Sequence, residues 1–142
     1  MKKMVTMLIV LCLLLSSCSN HPNSDSQHVS AIQVKELFDK HAIVLTEPKD
    51  LHPENVFIRI LNGVKPETYV MNDKQLISIY AYPSEKDARE GAKDFEAKTA
   101  VADVVQHRRY VIGNILLFYV VDKENEDSRL ELVIENLRSM LR

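Results

Sequence analysis

Cysteine is nearly missing from this chain of 142 residues: there are two, Cys12 and Cys18, and both lie within the first eighteen positions. Any domain formed by the rest must therefore hold together by packing, without a disulfide. Glycine is as scarce, with only Gly63, Gly91 and Gly113, which excludes the glycine-rich loops that cradle phosphates. Basic residues do not exceed acidic ones, 18 against 20, so the concentrated positive face that nucleic acid requires is not encoded. The five histidines (His21, His28, His41, His52, His107) form no His-x-His or His-x-x-x-His pair and have no thiolate beside them. No Gly-x-Ser-x-Gly elbow is present, and the acids Glu124, Glu126 and Asp127 read as the start of a helix, where they favour its dipole. The sequence thus points to no catalytic residue, no metal and no cofactor.

What is present begins with Met1-Lys2-Lys3, a short positive stretch, followed by an apolar run from Met4 to Leu15 broken only by Thr6. Twelve helical residues reach about 18 Å, well short of the ~30 Å hydrocarbon core, so the run suits an export signal rather than a membrane span. It closes on Leu15-Ser16-Ser17-Cys18: an aliphatic residue, two small ones and a cysteine. This resembles the lipobox of bacterial lipoproteins. The resemblance implies diacylglyceryl transfer to the Cys18 thiol, cleavage between Ser17 and Cys18, and a lipid anchor on the outer face of the plasma membrane. In a Gram-negative cell, Ser19 after the cysteine implies the outer membrane instead. Loss of Lys2 and Lys3 with residues 1–17 leaves 16 basic and 20 acidic residues, a net charge of −4. Residues 19–28 carry no apolar side chain and read, with Cys18 and Val29, as a flexible tether over 18–29. Ten such residues have a typical reach of about 17–19 Å, which holds the domain close to the bilayer.

Residues 30–142 read as one α+β domain, an antiparallel sheet of about four strands with helices packed on it in the order α-ββα-ββα. Ser30-x-x-Gln33 is a capping box ahead of Val34, Leu37 and Phe38, so a helix is expected to His41. Ile43-Val44-Leu45 reads as a short extended piece. Residues 53–61 fit either a strand or a short helix, with Pro53 at its first position and Asn62-Gly63 as its C-cap tilting toward the helix. Glu67–Met71 and Gln75–Tyr82 form an expected hairpin around Asn72-Asp73-Lys74. Ser84-x-x-Asp87 opens a helix to about Thr99 whose inner stripe (Ala88, Gly91, Ala92, Phe95, Thr99) is mostly small, so its backbone should lie close on the sheet. A second hairpin spans Gln106–Ile112 and Ile115–Val121 across Gly113-Asn114. Its second strand is apolar on both faces and is expected to be central. Ser128-x-x-Glu131 is expected to cap the last helix, with Leu130, Val133, Ile134, Leu137 and Leu141 inward. Aligning Leu76–Tyr82 with Ile115–Val121 places Tyr80 over Tyr119, a hint of an internal repeat.

Two groups qualify as a contact surface. His107-Arg108-Arg109-Tyr110 is a basic cluster beside an aromatic, suited to anionic headgroups or an acidic partner, or equally an edge strand kept soluble by charge. Tyr80 and Tyr82 share a strand face with Ser78, which makes that face either an exposed amphipathic surface or a half-buried one under a helix. The expected function is a non-enzymatic lipoprotein that binds a protein or envelope component. An exclusion or immunity-type lipoprotein and a small envelope enzyme or accessory subunit are the alternatives.

Overall fold

The computed structural model describes residues 27–121 and 126–142. Three helices, α1 (Ala31–Lys40), α2 (Glu85–Thr99) and α3 (Arg129–Ser139), flank strands β1 (Leu45–Thr46), β2 (Glu67–Met71), β3 (Gln75–Ala81), β4 (His107–Ile112) and β5 (Ile115–Val120). The strands form one antiparallel sheet in the order β1-β2-β3-β5-β4. The α+β class is as expected, with five strands instead of about four. The added strand is β1, whose Leu45 and Thr46 pair with Met71 and Val70. It starts later than the expected piece, because Ile43 turns fully into the core while Val44 stays exposed.

Local chemistry explains where most elements start. Ser30 Oγ accepts from the Gln33 N–H (3.3 Å) and Gln33 Oε1 accepts from the Ser30 N–H (2.9 Å), so the capping box is formed. Ser84 Oγ accepts from the Asp87 N–H at 3.1 Å and caps α2. At α3 the expected cap is replaced: Ser128 makes no side-chain cap bond, and Asp127 Oδ1 accepts from the Arg129 N–H at 3.0 Å. Gly113, at φ +52°, turns β4 into β5 within two residues, Ile112 lying opposite Ile115.

Residues 53–61 contain a single 3-10 turn, Val56–Ile58, capped by Asn55 rather than opened by Pro53. Asn62-Gly63 is not its C-cap. With φ of +43° and +77° the two residues form a tight turn in which Leu61 and Val64 exchange backbone bonds of 3.0 and 2.9 Å. The chemistry that recommends Asn-Gly for a C-cap, tolerance of positive φ, serves this turn equally well.

Side chains alternate across β3 and β5 and create two cores. Ile77, Ile79, Ile115, Leu117 and Tyr119 face α1 and α3. Tyr80, Tyr82, Leu116 and Phe118 face α2 and the 57–61 loop. β5 is the expected central strand, buried on both faces from Ile115 to Tyr119. Burying each such side chain contributes about 1.5–3 kcal/mol. The two-core arrangement also removes the suggested repeat. Tyr80 and Tyr119 point to opposite faces, and the helices after the two hairpins pack on opposite faces as well. Turning one hairpin onto the other within the sheet plane would leave its helix on the wrong side, so the two ββα units are of opposite hand.

Candidate functional site

Cys18 and Ser17, the residues of the lipobox reading, lie outside the described residues. The two remaining surface candidates are both in view. Arg108 and Arg109 occupy β4, an outer strand of the sheet, and they project to opposite faces. Arg108 pairs with Glu126 and with Glu131 on α3 (2.9 Å), and Tyr110 Oη donates to the same Glu131 at 3.1 Å. Arg109 pairs with Glu96 on α2 at 2.7 Å. Each charge is thus compensated by a helix on its own side, and the pair does not form one basic patch.

Tyr80 and Tyr82 do share a face with Ser78, but that face is inside. They are 0% and 1% exposed, which corrects their reading as a contact surface. Their hydroxyls work internally: Tyr80 Oη donates to the Arg59 carbonyl (2.8 Å) and Tyr82 Oη to the Leu61 carbonyl (3.0 Å). Burial pushes both phenols well above their ordinary pKa, with Tyr82 adding to the rise at Tyr80 and Asp94 to that at Tyr82. The two tyrosines therefore hold the 57–61 loop down on α2. Lys98 Nζ adds a bond to the Ile60 carbonyl (2.8 Å), and Asp94 Oδ2 accepts from the Asn62 N–H (2.8 Å). Phe57, at the start of this loop, is fixed among Phe95, Phe118 and His107, with ring centroids 5.1–5.7 Å away.

At the end of the sheet where β3 finishes and β5 begins, the N-terminal segment enters the domain. Asn114, 4% exposed, accepts from the Val29 N–H (3.0 Å) and donates to the Val29 carbonyl (2.8 Å) and the Tyr82 carbonyl (3.0 Å). His28 Nε2 meets the same Tyr82 carbonyl at 2.9 Å. A side-chain amide here imitates a strand neighbour and ties the chain down at Val29, the last residue of the tether as read from the sequence.

The opposite end of the sheet is concave. A groove of about 240 Å³ opens where neither α2 nor the loops cover the sheet. Its floor is a row of half-buried side chains, Val70 paired with Leu76 and, on β5, Val120. Leu51, Phe57 and Val105 form its walls, and Lys49 and Lys74 stand on its rim. Val105 is 60% exposed, and the neighbouring loops expose Ile60 and Val101 as well. Among the described residues no carboxylate lines this groove. Glu47 and Asp73 line an adjoining hollow beside β1, and Glu126 and Asp127 line another on the far side of the β2–β3 turn. Lys49 also lines the first of these hollows and Lys74 the second, yet among the described residues the side chains of Lys49 and Lys74 form no ion pair or hydrogen bond, in contrast to Lys93, Lys98, Arg108, Arg109 and Arg129.

Asp127 organises the same end. It caps α3, accepts from Asn72 Nδ2 (2.9 Å) and pairs with Arg129, whose Nη1 donates to the Ala42 carbonyl at 2.7 Å. The Arg129 guanidinium, aided by the Asn72 bond, holds the Asp127 carboxyl well below the usual carboxylate range. Its role is structural, since every oxygen is already engaged by the fold.

The groove escaped the sequence because its lining comes from separate segments around 48–57, 70–76, 105 and 120. Only the exposed Val101 and Val105, apolar residues in a loop, carry a local signal of it. Among the described residues no His, Cys, Asp and Glu side chains cluster so as to hold a metal ion, and no helix is long and apolar enough to cross a membrane. No protein-family model, curated protein or solved structure matches this chain.

Proposed function

We propose that this chain is an exported lipoprotein, acylated on Cys18 and held on the outer face of a membrane, whose α+β domain is a non-enzymatic binding module for a protein or envelope component. The location rests on the Leu15-Ser16-Ser17-Cys18 motif after an apolar run of signal length. One structural observation carries the binding role: the clamp on Val29 and the apolar groove sit at opposite ends of the sheet. Leu76 in the groove floor and Tyr82, just past the end of β3 at the clamp, are six residues apart, about 20 Å at 3.3 Å per residue. A domain tethered at one end thus presents exposed apolar surface at the other, and such surface on a small domain commonly marks a contact site.

The reading is tested by partitioning and crosslinking in cells. The wild-type chain should fractionate with membranes and enter the detergent phase, whereas Cys18→Ala should remain in the aqueous phase. A photoreactive side chain placed at Val105 should give a discrete adduct, and one placed at Lys86, near the clamp end, should not. Membrane partition that survives loss of Cys18 would sink the anchor, and identical adduct patterns at both positions would sink the binding site.

A further inference from the structure

The groove between the 48–57 loop and Val105 has a size, a charge and a position that narrow what fills it. Its volume of about 240 Å³ lies below the roughly 300–1,000 Å³ of pockets that enclose a small molecule. It suits one or two side chains. The floor, Val70, Leu76 and Val120, is entirely aliphatic and only half-buried, so an aliphatic or aromatic side chain laid on it removes apolar surface from both partners.

Charge selects further. Among the described residues, Lys49 and Lys74 stand over this floor with no carboxylate in the lining and no ion pair of their own. A bound group carrying negative charge beside its apolar part satisfies both. An anionic bilayer would supply that charge too, but a flat surface laid on this end of the domain also meets Glu47 and Asp73 in the flanking hollow. Those acids repel an anionic surface and spare a narrow ligand confined to the groove.

We infer that the groove is a docking site for an extended peptide segment of an extracytoplasmic protein, with an aliphatic or aromatic residue set on Leu76 and flanking Asp or Glu residues paired with Lys49 and Lys74. This deepens the binding-module reading and rests on it, but it does not depend on acylation of Cys18.

The test selects a displayed library of random twelve-residue peptides in parallel on the mature chain and on its Val105→Asp variant. Both Val105 and Lys74 are exposed, so variants there leave the core intact. Peptides retained by the wild type and lost by Val105→Asp should carry an apolar residue flanked by acids. The best of them, synthesised, should bind Lys74→Glu about tenfold more weakly, a typical loss for a groove-centred contact. Replacing its acid by Lys should restore binding to that variant. Failure of any peptide to distinguish wild type from Val105→Asp would overturn the inference, as would selected peptides without acids. Two further arms carry the same weight. The Cys18→Ala chain should not bind phosphatidylglycerol vesicles through Lys74, and its sedimentation should show no self-association that Val105→Asp abolishes. Either behaviour would reassign the groove to a lipid surface or to a second copy of the chain.

Discussion

Replacing Gly91 by Ala is the sharpest test of how α2 meets the sheet, because two effects of opposite sign compete there. In a solvent-facing helix interior the change stabilises by about 0.5–1 kcal/mol, since Ala loses less backbone freedom than Gly. Here a Cβ at residue 91 would lie 2.0 Å from Tyr82 Oη and 2.5 Å from its Cζ, distances that no contact tolerates. The ring has little room to yield. It stacks on Tyr80 at a centroid distance of 6.2 Å, and its hydroxyl is bonded to the Leu61 carbonyl. Either Tyr82 gives up that bond, at about 1 kcal/mol, or α2 lifts and loosens Ala88, Ala92 and Phe95, at the ~1–3 kcal/mol typical of overpacking. The net expectation is a loss of about 1 kcal/mol once the helix-propensity gain is subtracted. Urea denaturation followed by far-ultraviolet circular dichroism measures it. Tyr82→Phe should not rescue the variant, because the contact with Cζ stays. Tyr82→Leu should, turning Gly91→Ala neutral or stabilising in that background, a coupling of about 1–2 kcal/mol. A Gly91→Ala protein as stable as wild type, or more so, would refute the close approach of helix and tyrosine.

Three other substitutions probe separate parts of the fold. Ala42 follows α1 at φ +55°, where it closes the helix through Ile43 N–H to the Phe38 carbonyl (2.9 Å); Ala42→Gly should raise stability by about 1 kcal/mol, read as a Tm a few degrees higher. Ser78 Oγ is buried on the α2 face and has no hydrogen-bond partner among the described residues, so Ser78→Ala should be neutral or stabilising by up to about 1 kcal/mol in the same urea titration. Asp127→Ala should cost about 1–2 kcal/mol at neutral pH through loss of the α3 cap and of the Asn72 and Arg129 bonds. The Asp127 carboxyl is held below its unfolded pKa, so its contribution is complete above about pH 4 and is lost as pH falls through the folded value. The gap between wild type and Asp127→Ala should therefore narrow steadily below about pH 4, and a gap that widens in acid would contradict the assignment.

Elements announced by neighbouring residues were legible in the sequence, and those made by distant pairings were not. Ser30 with Gln33, Ser84 with Asp87, and Gly113-Asn114 each satisfy backbone groups within a few positions, so the starts of α1 and α2 and the second hairpin could be read directly. β1 is two residues long and exists because Met71 and Val70, 24 or more positions away, accept it as a neighbour. The cap of α3 shifted by one residue because Asp127 also answers to Arg129 and to Asn72 across the fold. Alternation correctly grouped Ser78, Tyr80 and Tyr82 on one face, yet it does not say which faces are covered. Tyr82 is covered because Gly91 lets α2 settle on it. The groove is the extreme case, since no two adjacent residues announce a surface built by strand pairing and loop placement.

The proposed location on a membrane depends on acylation of Cys18. Cells expressing the wild type and Cys18→Ala, grown with an alkyne-bearing fatty acid, provide the direct measurement after click detection of the purified chains. The account expects label on the wild type alone, with the mature protein beginning at residue 18. Equal label on the Cys18→Ala chain, or a wild type that matures without acquiring label, would contradict it.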